Sequence, residues 1–140
     1  MGFDRQRTLP DPAPESARAA LAESALPPID RAHLMRYSLG SLTLEREVLG
    51  LFLAQLPLSV EQLRFATTDR EWQIAAHTIK GSAKAVGARD VARIATHAER
   101  TSGVMDEEER ARILAALDEA FEAIEAYVEE AFGPDQPARA

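Results

Sequence analysis

Residues 76–87 contain the side chains of this sequence that are best suited to chemistry. A helix over them, turning about 100° per residue, places His77, Lys80, Gly81 and Lys84 on one face. A neutral imidazole is a nucleophile, and ammonium groups one and two turns away offset the charge of a phosphoryl group placed on it. The spacing favours phosphoryl transfer through His77, although each residue alone would also fit an ordinary exposed helix face.

The opposite face of the same helix is apolar and predicts packing into a core. Its members are Trp72, Ala75, Ala76, Ile79, Ala83 and Val86. On the polar face, Gly81 lowers helix stability by about 1 kcal/mol relative to alanine. A reason for glycine at this position is close approach by another protein, or by a bulky anion, beside His77.

Apolar residues at helical spacing also occur before and after this helix in the sequence, and they predict an all-α protein. We expect an up-and-down four-helix bundle with a short additional N-terminal helix across one end. The predicted elements are a short helix from Asp30 to Gly40 and longer helices over about 43–66, 69–86, 89–102 (stopped by Gly103) and 106–132. Their predicted core stripes are Leu49, Phe52, Leu53, Leu56, Val60 and Leu63; Val91, Ile94, Ala95 and Ala98; and Leu114, Leu117, Phe121, Ile124, Val128 and Ala131.

The helix over 43–66 carries two features that leave alternatives open. Pro57 is expected to kink this helix or to break it in two. A second apolar line, spaced by sevens, consists of Leu44, Leu51, Leu58 and Phe65. We favour packing of this line under the short first helix; the alternative is an exposed apolar docking surface.

The composition limits the possible functions. The 140 residues include 16 Lys and Arg against 23 Asp and Glu, for a net charge of −7, which argues against a nucleic-acid partner. Cysteine is absent, no apolar run is long enough for a membrane span, and the N-terminus lacks the pattern of a secretion signal. We expect a cytoplasmic protein with a flexible Pro/Ala-rich leader (1–28), one domain (29–133) and a disordered tail (134–140).

Two further histidines lack the flanking lysines of His77. His33 is expected to be a plain exposed side chain, and His97 lies on a polar face with Arg93 and Arg100 nearby. No histidine pair has the spacing of a helical metal site, so no metal centre is predicted.

The stretch resembles the signature of the histidine-containing phosphotransfer (HPt) domain. That signature reads loosely His-x-Leu-Lys-Gly-Ser-Ala, with Gly-Ala three residues further on. The corresponding residues here are His77, Ile79, Lys80, Gly81, Ser82, Ala83, Gly87 and Ala88, with isoleucine in place of leucine. The wider resemblance covers about residues 29–132.

The resemblance implies a phosphocarrier that relays a phosphoryl group between receiver-domain aspartates through His77, without kinase activity of its own. The implied partners are receiver domains of response regulators and of hybrid histidine kinases, which would supply Mg²⁺. The protein itself is expected to need no cofactor and to be a monomer. Two alternatives stay open: a helical adapter that is never phosphorylated, and a phospho-accepting domain served directly by a histidine kinase.

The resemblance also assigns a role to Glu99. His77 and Glu99 each lie about 15 Å from the turn at Gly87-Ala88, so they can face each other across an antiparallel helix pair. In the family, a Glu or Gln at this position accepts a hydrogen bond from the imidazole Nδ1–H. The alternative is an exposed carboxylate that pairs with Arg93 or Arg100.

Overall fold

Polar side chains set the starts of most helices in this protein. The computed structural model describes residues 26–101 and 106–133. Its helices are α1 (Arg31–Ser38), α2 (Leu42–Arg64), α3 (Asp69–Val86), α4 (Arg89–Glu99) and α5 (Glu107–Phe132). Asp30, Ser41, Thr68 and Asp106 cap four of them by accepting a backbone N–H of the first turn. Predictions for residues 1–25, Gly103 and the tail 134–140 lie outside the described residues.

The four long helices pack around one apolar core, in which α2 contacts α3 and α5, and α4 contacts the same two helices. The predicted all-α up-and-down bundle is therefore confirmed. All six residues of the predicted apolar face of α3 are buried, as are the four predicted for α4. Trp72 is completely buried, and its Nε1–H donates to the carbonyl oxygen of Ala98 at 2.7 Å, which joins α3 to the end of α4.

The core stripe of α5 differs in part from the prediction. Ile113 and Ala120 are buried although they were not predicted, and Ala131 is exposed. At about 1.5 Å per residue, the 26 residues of α5 extend well beyond the 11 of α4. The last turns of α5 therefore lie beyond the end of α4, and an apolar spacing alone does not reveal this.

The short helix α1 lies at one end of the bundle, where polar contacts hold it. Glu45 of α2 is 1% exposed, and its carboxylate contacts the Arg31 guanidinium at 2.7 Å and accepts from the Ser38 hydroxyl at 3.1 Å. His33 Nε2 lies 3.2 Å from the carbonyl oxygen of Ala85 in α3. The expectation that His33 is a plain exposed side chain is therefore wrong, because the imidazole connects α1 to α3.

For α2, one of two alternatives is excluded and one expectation is corrected. The helix is continuous from Leu42 to Arg64, so Pro57 does not break it in two, and the buried stripe from Leu49 to Leu63 packs on both sides of this exposed proline. The second apolar line does not pack under α1: Leu44, Leu51, Leu58 and Phe65 are 40–71% exposed. These four side chains therefore form an apolar outer face on α2.

The connection between α3 and α4 is tight and positions the site. Gly87 has φ of 82°, and a Cβ there would lie 3.0 Å from the carbonyl oxygen of Asp30, so glycine is required. The Gly87 carbonyl accepts the backbone N–H of Asp30 at 2.8 Å. Helix α4 ends at Glu99, three residues earlier than predicted, because Thr101 bonds back to the Ala98 carbonyl. No helix among the described residues is long and apolar enough to cross a membrane.

Candidate functional site

His77 lies in the middle of α3 and points away from the core. Its side chain is 67% exposed, whereas the preceding residue, Ala76, is fully buried. This difference follows from helical periodicity, since the apolar face of α3 leaves His77 on the polar side. The imidazole is therefore accessible to a partner protein.

Glu99 reaches His77 from α4. Its Oε2 lies 2.8 Å from Nδ1 of the imidazole, so the two residues face each other across α3 and α4. An ionised carboxylate has no proton to give, and the proton of this hydrogen bond must therefore belong to Nδ1. The Nε2 atom of a neutral His77 is then left with its lone pair.

Lys80 holds the other oxygen of the same carboxylate. Its Nζ lies 2.6 Å from Oε1 of Glu99, and its side chain is only 22% exposed. Hydrogen bonds from Lys80 and then from His77 lower the pKa of the Glu99 carboxyl, which keeps it ionised at neutral pH. Lys80 thus contacts the carboxylate that binds His77, a contact that its spacing from His77 along the helix does not predict.

Lys84 and Gly81 complete the predicted set. Lys84 is exposed one turn beyond Lys80, and no described side chain pairs with it. Gly81 is exposed as well, and a Cβ built on it would meet no heavy atom within 4 Å. Packing within the described part of the protein therefore does not require glycine there.

A basic groove that the sequence did not predict lies beside these residues. It encloses about 490 Å³ and is lined by Lys84, Arg89, Ala92, Arg93, Thr96, His97 and Arg100. Arg89 and Arg93, four residues apart, lie on one face of α4, and Arg100, the residue that follows the helix, continues the same line. That spacing was visible in the sequence, but the contribution of Lys84 from a neighbouring helix was not.

His97 forms a second histidine–carboxylate–cation group with Glu109 and Arg112, but its imidazole makes the contact through Nε2, whereas that of His77 does so through Nδ1. His97 is not a free side chain on its polar face, since its Nε2 contacts the Glu109 carboxylate. That hydrogen bond, followed by one from Arg112, lowers the pKa of Glu109. Within the described ranges, no three His, Asp or Glu side chains are grouped so that they could hold a metal ion.

Comparison with known protein families gives one match. The family model of the Hpt domain matches residues 47–127, more than half of the chain, and this range includes His77, Lys80, Gly81, Lys84 and Glu99. No curated protein and no solved structure matches the chain. Hpt domains are helical bundles that carry phosphoryl groups on histidine in phosphorelays and interact with receiver domains of two-component systems. The match and the bundle together show that the chain belongs to the Hpt domain family.

Proposed function

We propose that this protein accepts a phosphoryl group on Nε2 of His77 from one receiver domain and passes it to another. The observation that carries the proposal is the hydrogen bond between Nδ1 of His77 and Glu99, on an imidazole whose side chain is 67% exposed. This arrangement leaves the nucleophilic nitrogen directed away from the bundle, where a partner can reach it.

In the proposed reaction, the Nε2 lone pair attacks the phosphorus of an aspartyl phosphate in the receiver domain. The new N–P bond forms as the P–O bond to the aspartate breaks, and the electron pair of that bond leaves with the aspartate carboxylate. Because Nδ1 keeps its proton, the phosphorylated ring carries a positive charge. The Glu99 carboxylate, 2.8 Å from Nδ1, stabilises that charge.

The other site residues support this step in different ways. Lys80 holds Glu99 in place through its 2.6 Å contact and adds positive charge close to the imidazole. Lys84, which no described side chain neutralises, is the cation available to the incoming phosphoryl group. Gly81 gives the receiver domain room to approach, because nothing in the described chain occupies the space beside it.

The proposed partners are the receiver domain of a hybrid histidine kinase as donor and that of a response regulator as acceptor. The receiver domains would hold the Mg²⁺ that neutralises phosphate charge, since phosphoryl transfer depends mainly on positioning and charge. We propose that the protein acts in the cytoplasm as a monomeric phosphocarrier without kinase activity of its own.

Transfer from a phosphorylated receiver domain tests the proposal. Receiver domains encoded in the same genome are labelled with ³²P and mixed with the wild-type protein and with His77→Gln, His33→Gln and His97→Gln. Acid-labile, base-stable label is expected in every protein except His77→Gln. A folded wild-type protein that takes no label from any receiver would favour the adapter alternative. Labelling by a histidine kinase that has no receiver domain would favour the direct route.

A further inference from the structure

The basic groove between α3 and α4 contains two cations that the described fold does not use. Arg89 pairs with Asp30 at 3.3 Å, and Arg93 pairs with Asp90. Lys84 and Arg100 are both exposed, and no described side chain pairs with either of them. These two residues give the groove a positive charge that is available to a partner.

This positive surface contrasts with the rest of the molecule. Helix α5 alone carries nine acidic and two basic side chains, and the whole chain has a net charge of −7. The groove and the exposed side of α5 therefore differ strongly in charge. Such a separation orients an approaching charged partner before contact.

The groove is continuous with the phosphotransfer face. Lys84 belongs to both, and it lies seven residues from His77 on the same helix, about 10 Å along the axis. Arg100 directly follows Glu99, whose carboxylate contacts His77. A protein that covers His77 and spreads toward α4 would therefore cover the groove as well.

We infer that this groove is a second contact surface for the receiver domain, and that it takes acidic side chains bordering the partner's phosphorylation site. The inference rests on the proposed function. A site that binds Mg²⁺ beside an aspartate contains several carboxylates, because Mg²⁺ prefers oxygen ligands. The surface around such a site is acidic and complements Lys84 and Arg100 when the aspartyl phosphate meets His77.

The groove acts on association and orientation, and the chemical step remains at His77. Charges at the edge of an interface mainly raise the association rate and discriminate between partners. Loss of Arg100 should therefore slow transfer at low receiver concentration. The transfer rate at saturating receiver should stay close to that of the wild type.

Arg100→Glu tests the inference, with Arg36→Glu as the matched control. Arg36 is an exposed arginine on α1 that does not line the groove, and its reversal changes the net charge equally. The probe is the phosphorylated receiver domain, from those encoded in the same genome, that transfers fastest to the wild-type protein. Transfer is followed by rapid quench over a range of receiver and salt concentrations.

Arg100→Glu should lower the second-order rate constant about tenfold at low salt, and Arg100→Gln should lower it less. The difference from wild type should shrink as salt is raised to about 0.3 M, since the Debye length falls below 10 Å. Arg36→Glu should stay within about twofold of wild type.

Equal rates and equal salt dependence for Arg100→Glu and Arg36→Glu would overturn the inference while leaving the proposed function intact. Binding of a second copy of this chain in the groove would also overturn the inference. In that case light scattering would show a wild-type dimer that Arg100→Glu dissociates, with unchanged transfer. Absence of transfer to the wild-type protein would instead refute the proposed function and this inference together.

Discussion

The orientation of His77 depends on a carboxylate that a lysine holds in place. Nδ1 of the imidazole contacts one oxygen of Glu99, and Lys80 contacts the other. These two hydrogen bonds lower the pKa of Glu99, so the carboxylate stays ionised and can only accept. Both contacts contribute as long as the pH stays above that lowered pKa, and they are lost in acid as Glu99 is protonated.

Replacement of Glu99 should change the tautomer of His77. In the wild-type protein at neutral pH, the proton of the neutral imidazole should reside on Nδ1. Glu99→Ala removes the acceptor and should move the proton toward the ordinary Nε2–H form, whereas Glu99→Gln retains an oxygen acceptor and should preserve Nδ1–H. Nitrogen-15 NMR of the imidazole measures this directly. A wild-type Nε2–H form that the substitution leaves unchanged would rule out the role of Glu99.

Substitution of Gly81 should separate folding from phosphotransfer. Gly81→Leu should raise the free energy of unfolding by up to about 1 kcal/mol, because glycine is a poor helix former. The same side chain would obstruct a receiver domain beside His77 and should slow transfer about tenfold or more.

Gly50 provides the control for this substitution. It is an exposed glycine on α2, and a Cβ there also meets nothing within 4 Å. Gly50→Leu should therefore stabilise the helix without any effect on transfer. A Gly81→Leu protein that transfers as fast as Gly50→Leu would show that the receiver does not approach over Gly81.

The sequence predicted where the site residues lie along the helices better than it predicted which side chains contact one another. The distance of His77 and Glu99 from the turn at Gly87 is fixed by helical rise, so their proximity followed from counting residues. The contact between Lys80 and Glu99 depends on rotamers and on the spacing of two helices, neither of which periodicity specifies. The sequence therefore predicted the histidine and its acceptor but not the lysine that orders that acceptor.

At the scale of helices, Glu45 is one of the residues that attach α1 to the bundle, through Arg31 and Ser38. Glu45→Ala should lower the free energy of unfolding by about 3 kcal/mol. This value is the lower end of the range for breaking a buried ion pair, because the Arg31 side chain is 32% exposed and stays partly hydrated. Urea denaturation measures this loss. Glu47→Ala, an exposed carboxylate two residues away, should change stability by less than about 0.5 kcal/mol. Similar stability of the two variants would contradict the attachment role.

The sequence predicted which segments are helical more accurately than it predicted where the helices end and what packs against them. The apolar faces of α3 and α4 were predicted completely, since each face packs against the core along its whole length. The end of α4 was missed because the Ala98 carbonyl accepts from Trp72 and Thr101, and the first of these contacts comes from another helix. The exposed line on α2 was misassigned because periodicity shows which residues share a face but not what covers it.

At the scale of the whole molecule, charge is arranged more specifically than the net value of −7 suggests. Acidic side chains are concentrated on α5, and the groove beside His77 is basic. Composition correctly described an acidic protein, but it could not show a basic groove formed by residues of two helices. Lys84, on the same helix as His77, and Arg100, next to Glu99, place this groove beside the histidine that we propose as the phosphoryl acceptor.

The most direct test of the central claim is NMR of the phosphorylated protein with ¹⁵N-labelled histidine. After transfer from a receiver domain, phosphorus–nitrogen coupling should appear at Nε2 of His77, and Nδ1 of the same ring should keep its proton. The spectra of His33 and His97 should not change. Phosphorus bonded to Nδ1 of His77, or to a nitrogen of either other histidine, would contradict the proposed role of His77 and its contact with Glu99.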